Sequence, residues 1–274
     1  MALCSYCQRA EIGRTALQLV GLPEQKSATL ARQEIPPMLQ TTWGQGSPYN
    51  LQCPVKSGVH CQTGCVATAM AQIMFFHKCP AEGYDWQNMC LTYTGSETEE
   101  QKQAVAKLMA DCGKAVNMEY GIGSSAAYAM DAAAAFTSDF GYQETSGELY
   151  RFDYSDADWE DMIYNELAAG RPVLYSGYFF NDTYQHQFVC DGYKDGKFHF
   201  NMAWSLVRDG YYTLDEVCSS YSQTAVLKIQ PKTATPSTSP QGGEQNSFPW
   251  GRSGRGKKIE VYRLANLCLY KLKD

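Results

Sequence analysis

The middle of the chain carries apolar residues at the three- and four-residue spacing that is typical of helices. The first predicted helix spans Cys65–His77, and its apolar stretch Val66–Phe76 is broken by Gln72. A second helix is expected to begin in the capping box Ser96–Glu99 and to end at Gly113. Two more predicted helices are an alanine-rich one over Ser125–Phe136 and one that Ser155 caps.

After Pro172 the pattern changes to short runs rich in β-branched and aromatic residues, which predict strands. The expected strands are Val173–Tyr178, His186–Gly192, Lys197–Trp204, Gly210–Leu214 and Thr224–Ile229. Helices followed by an antiparallel sheet predict an α+β fold in two lobes. Any active site is expected where the two lobes meet.

Composition shifts divide the chain into four parts. Residues 1–40 have weak periodicity and are interpreted as an N-terminal arm, such as the remnant of a propeptide. Residues 41–231 hold the dense pattern of a folded domain. Residues 232–258 are rich in Pro, Ser, Thr, Gly and Gln, as in a flexible linker. The role of the C-terminal segment 259–274 is open, although its alternation would suit an edge strand.

Charge and hydropathy narrow the classes of function. The 274 residues carry 23 basic and 29 acidic side chains, a net charge of −6, which is not the basic footprint of a nucleic-acid-binding protein. The longest apolar run is too short to cross a bilayer, so no membrane span is expected. The first ten residues lack the order of a signal peptide. We expect a monomer.

The eleven cysteines are scattered, and their odd number leaves at least one thiol without a partner in the chain. Cys4 and Cys7 have the spacing of metal ligands, and with Cys53 and Cys61 they make a zinc site a minor alternative. Buried cysteine otherwise behaves as a small apolar residue. The sequence therefore predicts no metal and no cofactor.

Cys65 differs from the other cysteines in its context. It follows Gly64 and lies in the first turn of the predicted helix, where unpaired N–H groups and the helix dipole stabilise a thiolate. A thiolate is the nucleophile that acyl transfer needs. The alternative is a structural thiol that is simply buried at a helix start.

A catalytic thiol needs a histidine, and the chain has four. His60 lies in a predicted loop, His77 at a helix end, and His199 inside a strand, where structural roles suffice. His186 begins a strand at a position open to a cleft. It is the predicted general base, and Asn201 on the next strand is the candidate to orient its ring.

The turn between these two strands decides whether His186 and Asn201 meet. A two-residue turn at Asp195–Gly196 would put Asn201 opposite Cys190, about 13 Å along the strand from His186. A wider loop centred near Tyr193–Lys194 would put Asn201 opposite His186. The catalytic interpretation requires the wider loop.

Several long motifs, in order from about residue 35 to residue 229, resemble the streptopain family of papain-like cysteine peptidases. The matching segments are Trp43–Asn50, Thr63–Met74, Asn117–Gly121 with Ser124–Ala126, Gly170–Gly177 and His186–Trp204. The resemblance implies a papain-like fold over residues 41–231. It also implies that the protein is secreted or lies at the cell surface of a bacterium.

The resemblance implies cysteine endopeptidase chemistry on protein or peptide substrates, through a Cys-His thiolate-imidazolium pair and a thioester acyl-enzyme, without a metal or cofactor. Cys65 would be the nucleophile, and His186 the general base and then acid. Asn201 would orient the imidazole, and Gln45 would donate its amide to the oxyanion. The residues implied in substrate binding are Gly64, Trp204 and Gln185.

The chain departs from the family's pattern beside the histidine and the asparagine. The family usually has two glycines before the histidine and a small residue after it, and Trp-Gly-Trp-Gly-Gly after the asparagine. The residues found at these places include Tyr184, Gln185, Gln187 and Met202. These substitutions motivate a second hypothesis, a catalytically weak papain-like protein that acts as a binding module.

Overall fold

The computed structural model describes residues 32–179 and 184–232, and these ranges contain five α-helices and eight strands. The helices are α1 Cys65–His77, α2 Glu99–Ala115, α3 Ala129–Ser138, α4 Asp156–Ala168 and α5 Leu214–Val217. None of the helices in these ranges is long and apolar enough to cross a membrane.

Two antiparallel sheets are formed by the described strands. Strands β1 (Val55–Lys56) and β2 (Val59–His60) make a small hairpin before α1. The large sheet has the order β3-β8-β4-β5-β6-β7. Its strands are β3 Glu148–Tyr150, β4 Val173–Phe179, β5 Tyr184–Lys194, β6 Lys197–Asn201, β7 Gly210–Tyr212 and β8 Thr224–Val226. The α+β class with an antiparallel sheet is confirmed.

Helix α1 has the predicted bounds but is buried on all sides, from Val66 to Phe75. Its apolar cluster joins side chains of α2 and α3 to Leu174, Val189 and Val226 of the large sheet. A second cluster packs Trp159 and other residues of α4 against the sheet. The sheet is therefore covered by apolar side chains on both faces, and α1 is held against one of them.

The predicted start and end of the second helix are wrong by two residues. Its capping box uses Thr98 and Gln101, because the Thr98 side chain accepts from the Gln101 N–H and the Gln101 side chain accepts in return. The helix runs past Gly113, where a Cβ would come within 2.2 Å of the Tyr120 hydroxyl. This glycine serves packing rather than helix termination.

One of the other two helix predictions is wrong at its start and one is right at its cap. The alanine-rich helix begins at Ala129, later than expected. Ser155 caps α4 as predicted, accepting from the Asp158 N–H. The described part of the N-terminal arm is not separate from the sheet, since Ile35 exchanges backbone hydrogen bonds with Tyr193.

The β5–β6 hairpin decides the position of Asn201. Lys194 pairs with Lys197 across a two-residue turn, and a bulge between Cys190 and Gly192 shifts the register. Asn201 therefore lies opposite Val189, not opposite His186. The wider loop that the catalytic interpretation required is wrong, because the Asp195 and Gly196 backbones both adopt the positive φ of a tight hairpin turn.

Three parts of the sequence interpretation lie outside the described residues. They are most of the N-terminal arm with Cys4 and Cys7, the linker from residue 233 on, and the C-terminal segment 259–274.

We expect Thr98→Ala to lower the free energy of unfolding by about 1 kcal/mol, because the α2 N-terminus loses its side-chain acceptor. Ser96→Ala is the matched control, since Ser96 is also exposed and its hydroxyl bonds the Thr94 hydroxyl rather than a helix N–H. Urea denaturation of both variants measures the difference. Equal losses would contradict the cap at Thr98.

Candidate active site

Cys65 is the first residue of α1 and is partly exposed. No side chain caps this helix and no acidic residue lies in its first turn, so neither a cap nor a carboxylate of that turn opposes the helix dipole. The positive end of the helix dipole therefore favours a Cys65 thiolate.

The residue before Cys65 is Gly64, whose backbone conformation and close packing allow the helix to begin at Cys65. Its backbone has a φ of 85°, and a Cβ there would lie 2.7 Å from the Met118 sulfur and 3.1 Å from the Ser125 carbonyl oxygen. The atoms that approach this glycine closely thus belong to the protein itself. Contact of Gly64 with a substrate stays a prediction.

His186 lies on β5, with its ring buried among aromatic side chains. Trp204 stacks on the ring with a centroid distance of 3.9 Å and an interplanar angle of 22°. Tyr184, Phe188 and Phe179 lie at centroid distances of 5.8, 5.9 and 6.1 Å. This burial lowers the pKa of His186 from 6.5 to about 4, because the apolar surroundings disfavour the charged ring.

The hydrogen bonds of His186 define its tautomer. Nε2 lies 2.6 Å from the Met202 carbonyl oxygen, which can only accept, so the ring proton is on Nε2. Among the residues that the structure describes, Nδ1 of His186 is the one buried side-chain nitrogen or oxygen without a hydrogen-bond partner. The neutral ring therefore presents Nδ1 as a base.

Asn201 does not bond the His186 ring, contrary to the expectation. Its side chain accepts from the Gln72 amide and from the Ala203 N–H, and donates to the Thr41 carbonyl. The register places Asn201 on the face of the sheet that meets α1. The group that bonds the ring is the Met202 carbonyl, where the sequence predicted the Asn201 side chain.

Gln45 lies in a loop that bridges the two sides of the site. Its carbonyl accepts from the Thr63 N–H at 3.0 Å, just before Cys65. Two residues earlier, the Trp43 carbonyl accepts from the Ser205 N–H at 3.2 Å, just after Trp204. The partly exposed Gln45 side chain makes no hydrogen bond to any part of the chain that the structure describes. Its amide is free to bond a ligand.

The predicted substrate-binding residues Trp204 and Gln185 differ in their relation to His186. Trp204 packs directly on the His186 ring, as expected of a residue that walls the site. Gln185 alternates with His186 along β5, and its contact with a substrate stays a prediction. Tyr184 is the substituted residue that reaches His186, and its ring also lies 5.9 Å from the Trp204 ring.

Sequence reasoning missed two residues of the hydrogen-bond network that ends at the histidine. The Met202 carbonyl is a backbone group and leaves no signal in the sequence. Gln72 had a signal, since it is the polar residue that interrupts the apolar run of α1. A polar side chain that is buried needs a partner, and the partner of Gln72 is Asn201.

Metal binding has no support in the ranges 32–179 and 184–232, which hold no group of three or more Cys, His, Asp or Glu side chains that could bind an ion. Cys53 and Cys61 are buried free thiols there.

The segment after Met202 adopts strained backbone conformations. Ala203, Ser205, Leu206 and Arg208 all have φ between 53° and 70°, the left-handed region that glycine favours. Several of these positions are the ones at which the resembling family usually has glycine. The segment keeps Trp204 on the His186 ring despite this strain.

Comparison with known proteins identifies relatives. The model of the peptidase C10 family matches residues 43–84 and 81–212. Streptopain of Streptococcus pyogenes is 36% identical, with 63% of this chain and 53% of streptopain covered. The thiol protease/hemagglutinin PrtT of Porphyromonas gingivalis is 33% identical, with 63% of this chain and 23% of PrtT covered. The chain thus spans about half the length of the streptopains it matches.

Solved structures give the same result. Active wild-type interpain A cysteine protease of Prevotella intermedia superposes with a TM-score of 0.67 at 33% identity, covering 72% of this chain and 95% of that one. A prointerpain A fragment gives a TM-score of 0.66, also at 33% identity, with 73% of each chain covered. The similarity to interpain A confirms the papain-like fold class predicted from the sequence.

We expect Leu206→Gly to raise the free energy of unfolding by roughly 0.5–1 kcal/mol, because glycine relieves the left-handed strain. Val207→Gly is the control, since both side chains are 59% exposed but only Leu206 has a positive φ. It should lower the free energy of unfolding by about 0.5 kcal/mol through the entropy of the unfolded chain. Stabilisation by both changes, or by neither, would contradict backbone strain at Leu206.

We expect the His186 ring to titrate near its lowered pKa of about 4 rather than at 6.5. The ring should stay neutral as the pH falls through 6.5 and gain its proton only at more acidic pH. NMR of the ring carbon-bound protons measures the midpoint, and Cys65→Ala removes coupling to the thiol. A midpoint at 6.5 in that variant would show that the aromatic side chains do not desolvate the ring.

Proposed function

Because the chain belongs to the peptidase C10 family, we propose that it is a cysteine endopeptidase in which Cys65 and His186 are the nucleophile and the base. One observation carries this proposal. The buried His186 ring has its proton fixed on Nε2, while Nδ1 has no partner among the described residues and can accept the thiol proton.

In the proposed reaction, His186 Nδ1 removes the Cys65 proton and the thiolate attacks the scissile carbonyl. The dipole of α1 lowers the free energy of the thiolate. The negative charge on the carbonyl oxygen is stabilised by the Cys65 N–H and the Gln45 side-chain amide. The free Gln45 amide and its tie to Thr63 support this assignment.

The intermediate then collapses to a thioester, and the His186 imidazolium donates its proton to the leaving amine. Water attacks the thioester with His186 again as base, releasing the acid and regenerating the thiol. Each step moves one proton through Nδ1, while the bond from Nε2 to the Met202 carbonyl is retained. No metal or cofactor enters this scheme.

The substrates we propose are proteins or peptides, cleaved by the domain over residues 41–231. Secretion or display at a bacterial surface is the location that the streptopain resemblance favours. A monomer suffices for the reaction, because every proposed group comes from this one chain.

A second candidate, a catalytically weak binding module, is favoured by Tyr184. Its ring lies 5.8 Å from the His186 ring, at a position where the family usually has glycine. A bulky ring there narrows the space in which a leaving amine could meet the imidazole.

The pH dependence of alkylation, followed for each cysteine by mass spectrometry, tests the proposal. We expect Cys65 to react at about pH 6, well below the pKa of about 8.5 of an ordinary thiol. Cys90 is the internal control, because it is also partly exposed and its pKa is raised by desolvation. Hydrolysis of an unstructured protein substrate should disappear in Cys65→Ala.

Reaction of Cys65 only at the pH of an ordinary thiol, together with no cleavage of any peptide, would favour the binding module. Cleavage that persists in Cys65→Ala would rule out Cys65 as the nucleophile.

A further inference from the structure

Gln72 is a fully buried amide in the middle of α1, two turns after Cys65. Its oxygen accepts from the Thr41 hydroxyl at 2.7 Å, and its nitrogen donates to the Asn201 side-chain oxygen at 2.9 Å. A polar side chain in an apolar helix is costly unless it is paired, and both ends of this one are paired.

Asn201 is held on three sides. Besides the Gln72 amide, its side-chain oxygen accepts from the Ala203 N–H at 3.0 Å. Its nitrogen donates to the Thr41 carbonyl at 2.8 Å. Thr41, Gln72 and Asn201 therefore form a closed ring of hydrogen bonds between α1 and the end of β6.

The peptide group that joins Met202 to Ala203 connects this ring to the histidine. Its oxygen accepts from His186 Nε2 at 2.6 Å, and its N–H is the one that donates to Asn201. A peptide group is planar and rigid, so fixing its N–H also fixes the direction of its carbonyl. The preceding peptide group is also held, because the Met202 N–H donates to the Asp209 carboxylate at 2.7 Å.

We propose that Gln72 is a positioning residue that orients the His186 ring through Asn201 and the Met202–Ala203 peptide. The inference rests on the proposed function and assigns a use to a side chain outside the Cys-His pair. Gln72 would connect α1, which carries Cys65, to the Met202 carbonyl, which selects the tautomer of His186. Asn201 acts on the peptide rather than on the imidazole itself.

The reaction needs this tautomer. With the proton on Nε2, Nδ1 can accept from a thiol, whereas with the proton on Nδ1 it cannot. Removing the Gln72 amide leaves the Asn201 oxygen with the Ala203 N–H alone. Asn201 then holds the peptide less firmly, and the carbonyl selects the Nε2 tautomer of the base less strongly.

Gln72→Met tests the proposal, because methionine has a similar length and no donor. We expect kcat to fall on the order of 10- to 100-fold with little change in KM, as for a small misplacement of a catalytic group. Gln187→Met is the control: Gln187 is also a buried amide, on β5, but it donates to the Tyr175 carbonyl. It should retain most of the activity.

The tautomer itself is read by ¹⁵N NMR on protein labelled only at its four histidines. The native protein should show His186 with a protonated Nε2, and Gln72→Met should show exchange between the two tautomers. An unchanged tautomer in Gln72→Met, or equal loss of kcat in both methionine variants, would overturn the proposal.

Gln72→Glu decides the matter if the methionine variant does not fold. A neutral carboxyl group can accept from Thr41 and donate to Asn201 as the amide does, while a carboxylate can only accept. Activity relative to the native protein should therefore recover as the pH falls below the pKa of the introduced group. A ratio that does not change with pH would overturn the proposal.

These measurements separate the two levels of inference. Absence of hydrolysis by the native protein would contradict the proposed function, while the NMR comparison still reports whether Gln72 controls the His186 tautomer. Hydrolysis by the native protein with an unchanged tautomer in Gln72→Met would contradict only the role of Gln72.

Discussion

The hydrogen bond from His186 Nε2 to the Met202 carbonyl joins the chemistry of the site to the architecture of the sheet. A buried imidazole loses its hydration, and the aromatic rings around His186 offer no replacement for it. The carbonyl satisfies one nitrogen and excludes one tautomer. The burial keeps the ring neutral at physiological pH, and together the two effects leave Nδ1 as a base.

This arrangement places demands on distant parts of the fold. The Met202 carbonyl points at the ring just before the chain turns at Ala203, which has a left-handed backbone. The turn is held from α1 through Asn201 and from the following loop through Asp209. The strain in the segment that follows is tolerated because these hydrogen bonds determine its path. This path of the chain places the Trp204 ring against the His186 ring.

The similarity to streptopain and interpain A lies in one part of the site. The departures from the family pattern lie in another. The helix that presents Cys65 and the loop that carries Gln45 follow the family motifs. The substitutions at Tyr184 and Met202 surround the histidine instead. The substitution at Met202 has little effect on the orientation of the His186 ring. The ring bonds the Met202 backbone carbonyl, and a backbone carbonyl is present whatever the side chain. Tyr184 adds bulk beside the ring and is the larger change.

Local patterns in the sequence determined the helix that begins at Cys65, the Ser155 cap and the succession of helices and then strands, because these follow from spacing and hydrogen bonds within a few residues. They also singled out Gln72 as a polar residue in an apolar run. Only the tertiary structure decided what Gln72 bonds and which group orients His186. A bulge beside Cys190 shifts the register of β6, and whether two side chains on neighbouring strands meet depends on that register.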